Sequence, residues 1–177
     1  MTEPILELIP REQLIISLTN SLKDIDWIKG TTAFWTIFEG RPEPRFSERL
    51  KRGLIKGQSY FCTDISTIAT NIDAIDSYAN YGCNFYVFSY KLSLKLDETS
   101  SMLQHSKMIL IKKGDKAIIY IGSHNFTNRA LAGLNIEHTV RIETDYNSEI
   151  AYQFEYAIEQ IRINSLKFDP NQRYTIT

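Results

Sequence analysis

The chain has 177 residues, 43% of them hydrophobic and 23% charged, with a formal net charge of -1. This composition excludes the disordered, fibrous and membrane classes and suits one domain with a real core, because a chain of this size buries roughly 70% of the surface exposed on unfolding. It also excludes a surface that is basic throughout, so contact with a polyanion has to come from a local patch.

Residues Met1 to Pro10 carry Glu3 and Glu7 and lack the basic segment and apolar run of a secretory signal. No apolar stretch approaches the roughly 20 residues needed to span a bilayer, so a cytoplasmic protein is expected. Pro10 suits a first helical turn, and Leu14, Leu18, Leu22 and Ile25 recur at helical spacing. Thr31 to Phe38, closed by Gly40, reads as a strand, and the region of Pro42 and Pro44 as a loop. Phe46, Leu50 and Leu54 mark a second helix stopped near Gly57, followed by a strand over Gln58 to Asp64. Thr70 or Asn71 can cap a third helix with Ile72 and Ile75 inward, and Asn84 to Tyr90 is a nearly continuous apolar strand. Cys62 and Cys83 lack the short spacings of a zinc site and read as buried thiols.

Lys91 to Gln104 reads as a polar connection. Two β segments follow, His105 to Lys112 and Lys116 to Ile121, joined by a turn of Lys113, Gly114 and Asp115. After a short turn over Phe126 to Leu134, Glu137 to Glu143 alternates as a strand. Ser148 then opens a helix with Ile150, Phe154, Ile158 and Ile161 inward. Alternating strands and helices imply an α/β fold, a mixed and largely parallel sheet with helices on both faces, the parallel pairing in the first half. One domain is expected over residues 1–165, with a polar tail at 166–177 that could lead into a further domain of a longer parent chain.

His105 and Lys107 lie one residue apart, so on a strand both side chains leave the same face and can reach one phosphate. Gly122, Ser123, His124 and Asn125 close the next strand, where Ser123 and Asn125 again share a face. The set holds a nucleophile or base, a fixed cation and two neutral donors, which phosphoryl transfer requires. No carboxylate cluster for catalytic metals accompanies it, so chemistry without a metal or other cofactor is expected.

His105-Ser106-Lys107, Asp115 and Gly122-Ser123-His124-Asn125 resemble the His-x-Lys, Asp, Gly-Ser-x-Asn signature of the phospholipase D superfamily. The resemblance extends through Phe126-Thr127, Ala130-Leu131 and Asn135-Ile136-Glu137, covering residues 58 to 163. One departure is the run of seven residues between Lys107 and Asp115, where the usual pattern has four, so Asp115 is assigned to stabilising the turn through its side chain. The resemblance implies a phosphohistidine mechanism needing two signature motifs. This chain supplies one, so two copies of His105 would meet across a two-fold axis in a homodimer. Lys107 and Asn125 would hold the phosphate, Ser123 would donate a further hydrogen bond, and Glu137 would orient a histidine ring.

His124 and His138 are assigned away from catalysis. Arg45, Arg49, Lys51 and Arg52, within a longer basic stretch from Arg41 to Lys56, could track a nucleic-acid backbone or serve as a solvated helix face. The expected activity is metal-independent cleavage of DNA, with RNA as the other polyanion, in restriction or defence. A target-recognition domain or helicase partner would supply specificity. The alternatives are a phospholipase or phosphatidyltransferase, disfavoured by the single motif and the absence of a membrane segment, and a non-catalytic dimerisation module that binds nucleic acid.

Overall fold

In the computed structural model, which describes residues 3–89 and 103–172, the chain opens with a strand that the sequence pattern does not announce, β1 (Ile5–Ile9). A single 3-10 turn over Arg11–Gln13 leads into α1 (Leu14–Ser21), whose Leu14 and Leu18 are buried as their spacing requires. Next comes β2 (Trp27–Thr32), which starts and stops earlier than expected. The aromatic residues beyond it do enter the core, since Trp35 and Ile37 are fully buried. Their backbone is spent on loops: Trp35 N–H donates to the Thr70 hydroxyl and Thr36 N–H to the Phe126 carbonyl. Burial of these apolar side chains came from tertiary packing, which a β-like composition cannot separate from a strand.

The Glu43 carboxylate accepts from the Arg45 and Phe46 amides and caps α2 (Pro44–Leu54), with Pro44 at a first-turn position where its missing N–H costs nothing. β3 (Tyr60–Asp64) is buried along its whole length. The Asn71 side chain caps α3 (Ile72–Ala79), and β4 (Phe85–Phe88) follows. Tyr90, and residues 91–102 of the expected polar connection, lie outside the described residues, as do 173–177. β5 (Met108–Lys113) and β6 (Lys116–Gly122) form the expected hairpin. Gly114 sits at φ 59, a left-handed conformation natural to glycine. A single helical turn, α4 (Asn128–Leu131), precedes β7 (Thr139–Asp145). The Ser148 hydroxyl caps α5 (Glu149–Ile163). Residues expected to begin a polar tail instead give β8 (Leu166–Lys167), and Phe168 after it is buried.

Among the described residues eight strands join one mixed sheet in the order β1-β7-β6-β5-β2-β3-β4-β8. Parallel pairing is confined to β2-β3 and β3-β4, in the first half as expected, where α2 and α3 serve as crossovers. The parallel share of the whole sheet is smaller than expected. The β5-β6 hairpin and the short β6-to-β7 connection force antiparallel neighbours, and β1 and β8 join the two edges antiparallel.

Helices cover both faces, unequally. Leu14 and Leu18 of α1, Phe46 and Leu50 of α2, and Ile75 and Tyr78 of α3 build the larger core around Trp35. On the other face Ala151 and Ile158 of α5 pack on Trp27, Tyr60, Leu110 and Ile119. Cys62 and Cys83 are free and buried, and burial raises both thiol pKa values, as inert structural cysteines require.

Candidate active site

The C-terminal ends of β2, β3 and β6 and the N-terminal ends of β5 and β7 meet at one end of the sheet, and the signature residues stand there. His105 and Lys107 precede β5 instead of lying within it, because side chains hold this stretch in place of a full ladder. The buried Asp64 carboxylate accepts the Gln104 amide at 2.6 Å, and the Ser106 carbonyl accepts the Thr31 hydroxyl at 3.2 Å and the Gln104 side-chain amide at 3.0 Å. The two side chains still come together as expected. Lys107 Nζ lies 3.1 Å from His105 Nδ1 and donates to the His105 carbonyl at 2.8 Å.

His105 is exposed, with the edge of Phe34 set against its ring, whereas Lys107 is only 7% exposed. Burial lowers the Lys107 pKa and the nearby Glu137 carboxylate opposes that shift, giving a shielded cation beside an accessible imidazole. The Asn125 carbonyl oxygen accepts from the Phe34 amide at 3.1 Å and from the Thr32 hydroxyl at 3.4 Å. Only an oxygen can accept from a backbone N–H, so this pair fixes the amide orientation and leaves the Asn125 NH2 group to donate.

Gly122 is required by close approach: a Cβ there would stand 2.1 Å from the His138 carbonyl oxygen. The bare glycine lets the strand leading into β7 press against β6, so the Ser123 amide donates to the His138 carbonyl at 3.0 Å. The Ser123 hydroxyl donates to Glu137 Oε2 at 2.5 Å and accepts the His138 amide at 3.1 Å. Glu137 Oε1 also accepts from Asn135. Within one chain, then, Glu137 orients Ser123 and Asn135, and the histidine contact expected of it is not made. His124 is 1% exposed with Nδ1 2.9 Å from the Thr139 hydroxyl, and burial with the neighbouring Lys107 charge pushes its pKa down to about 4.

Asp115 stands apart. The hairpin turn is at the far end of β5, whose six residues span about 20 Å at roughly 3.3 Å per residue and separate the turn from the site end. The carboxylate that takes a turn amide is Asp26, which accepts from Gly114 and pairs with Lys112, while Asp115 contributes its backbone carbonyl to Tyr146. The basic stretch is also dispersed along α2. Arg45 lies at the site end, and none of its described hydrogen bonds or ion pairs involves the guanidinium. Arg49 donates to the Thr19 carbonyl, Lys51 pairs with Glu39 and Glu48, and Arg52 pairs with Glu48.

Sequence reasoning missed Asp64, Gln104, Thr31 and Thr32. The one local signal was a carboxylate closing the otherwise uncharged strand Tyr60–Asp64. Among the described residues no group of three His, Cys, Asp or Glu side chains converges as metal ligands, and no helix is long and apolar enough to cross a membrane.

A mixed eight-stranded sheet with its His-x-Lys and Ser-x-Asn segments converging at one end defines a phospholipase D-like domain. The chain belongs to the family described as cardiolipin synthase, PLD-like domain, whose profile matches residues 56–162, and it is thereby a phosphodiesterase of the phospholipase D superfamily. Among solved structures it is similar to Nuc, a phospholipase D family member from Salmonella typhimurium, with a TM-score of 0.69 and 19% identity over 94% of this chain and 99% of that one. NucT from Helicobacter pylori gives 0.62 and 17% over the same shares. Phosphatidylserine synthase from Haemophilus influenzae gives 0.58 and 12% over 94% of this chain and 39% of that one. These likenesses carry the fold. No curated protein sequence matched.

Proposed function

We propose that the protein is a metal-independent endonuclease acting on DNA through a phosphohistidine, at a site shared between two copies of the chain. The observation that carries this reading is the pairing of exposed His105 with the shielded Lys107 cation, 3.1 Å apart, beside an Asn125 amide whose NH2 group is turned free. A His105 ring nitrogen attacks phosphorus. The bond from phosphorus to the leaving oxygen breaks, and that oxygen takes a proton from His105 of the second copy. The second histidine, now neutral, takes a proton from water as the water oxygen displaces the first imidazole from phosphorus. Lys107 and Asn125 of both copies hold the phosphate oxygens and stabilise the charge that builds on them.

Within the basic stretch, Arg45 is best situated to touch the flanking backbone, with Arg49, Lys51 and Arg52 contributing where their internal contacts give way. Base recognition belongs to a further domain or partner, because a site built around one phosphate carries little sequence information. The lipid reading draws on the family description, cardiolipin synthase, and differs in having an alcohol intercept the phosphohistidine. Labelled single- and double-stranded DNA, RNA and phosphatidylglycerol vesicles incubated in excess EDTA decide between them. EDTA-resistant DNA cleavage lost in His105→Ala is the expected result; turnover of lipid alone transfers the mechanism to that substrate, and EDTA-sensitive cleavage overturns it.

A further inference from the structure

Four cations of α2 and its exit fall on one stripe. Arg45, Arg49, Arg52 and Lys56 stand four, three and four residues apart, so they follow one line down the helix and away from the site end. At 1.5 Å per residue that line is about 16 Å long. Its far end opens into a pocket of 370 Å³ between α2 and the loop joining α1 to β2, with Lys23, Asp24, Arg49, Arg52 and Lys56 in its lining.

Four cations line this pocket against one carboxylate, Asp24, and two of the four are fixed without being neutralised. Arg49 Nη1 donates to the Thr19 carbonyl at 2.6 Å, and Lys56 Nζ donates to the Ile25 carbonyl. A carbonyl orients a cation but brings no net charge to cancel it, so the field of both reaches the pocket. Lys23 is exposed, and no described hydrogen bond or ion pair engages its ammonium group. Arg52 pairs with Glu48 at 2.7 Å on the surface, a contact weak enough in water for the guanidinium to turn toward a phosphate. The neighbouring Asp26 carboxylate is already held by Lys112 and the Gly114 amide. A helix C-terminus draws cations through its own dipole, but that does not account for Lys23, which stands on the opposite wall of the pocket.

We propose that this pocket seats a backbone phosphate of the nucleic acid, and that the strand reaches it along the stripe from Arg45 to Lys56. The proposal rests on the DNA reading above and adds to it a path for the substrate away from the reacting phosphate. Phosphates of one strand advance about 3.4 Å each along a duplex, so the stripe matches about five of them. A repeating polyanion uses the whole stripe, whereas a lone headgroup or free phosphate would fill the pocket and leave Arg45 idle. Such contacts fix the register of the polymer without reading its bases.

The test is DNA binding by the His105→Ala protein, which holds substrate without cutting it, titrated across a range of salt concentrations. Lys23→Ala/Arg52→Ala is added to that background, and Lys113→Ala/Lys167→Ala, which removes equal charge elsewhere, serves as the control. Lys23 and Arg52 are both exposed, so the fold should survive, as circular dichroism can verify. The expected result is a plot of log affinity against log salt that is shallower by about one for each pocket engaged, with binding weaker by about 10-fold, in the pocket variant alone. An unchanged slope overturns the proposal, as does an equal loss in the control, which would mean that only total charge counts. Binding to phosphatidylglycerol vesicles through these residues, with none to DNA, overturns it together with the DNA reading. Pocket-dependent binding by a chain whose wild type cleaves no DNA in EDTA upholds the pocket while removing the cleavage reading. Should the variant misfold, acylation of the lysines with and without DNA replaces it: protection of Lys23 and Lys56 over Lys167 supports the pocket, and equal labelling overturns it.

Discussion

His124 immediately precedes Asn125 in the site's wall and shows how burial separates the roles of neighbouring histidines. With a pKa near 4 in the fold against 6.5 for an ordinary histidine, it stays neutral while the unfolded chain begins to bind a proton. The unfolded state therefore holds more protons between those values, so the stability His124 contributes is whole above about pH 6.5 and is lost as pH falls toward 4. A shift of this size corresponds to about 3 kcal/mol. Denaturant titrations of the wild type and His124→Gln from pH 7 to 4 should show a shallower fall in the variant; parallel curves would deny His124 that role. His105, Lys107 and Asn125 were legible from sequence because their order and spacing are local. Asp64 was not, since its bond to the Gln104 amide joins residues 40 apart, and no local spacing reports a contact of that span.

Between β6 and β7 the site depends on how closely two backbones approach. Adding a methyl at Gly122 would strike the His138 carbonyl, which is backbone and cannot swing aside. Gly122→Ala should therefore push the Glu137 segment away, cost about 1–3 kcal/mol of stability and lower kcat by about 100-fold, the scale of a misplaced catalytic geometry. Thermal melts paired with single-turnover cleavage measure both, and an unchanged kcat would show that the Ser123–Glu137 bond is dispensable. Helices with a strict apolar period and a polar cap were the readable elements: α2 through Phe46, Leu50 and Leu54, α3 through Asn71, and α5 through Ser148. β1 was hidden because its five residues put apolar side chains on both faces, and four of the five remain exposed at or above intermediate level at a sheet edge. β8 was hidden because two residues carry no period at all.

For the whole molecule, the proposed site, which would draw one histidine from each subunit, makes a distinctive demand on mixtures. Wild type and His105→Ala, unfolded together and refolded at equal amounts, give about one quarter wild-type dimers if subunits pair at random. Cleavage should then fall to that quarter; a fall to one half would mean that each chain works alone. The Gly114–Asp115 turn lies at the pole opposite the chemistry, and Asp26, paired with Lys112, ties it to the start of β2. An affinity handle inserted there would anchor the protein to a bead or chip with its reactive pole facing the solution, so that long polymers could thread past without meeting the support.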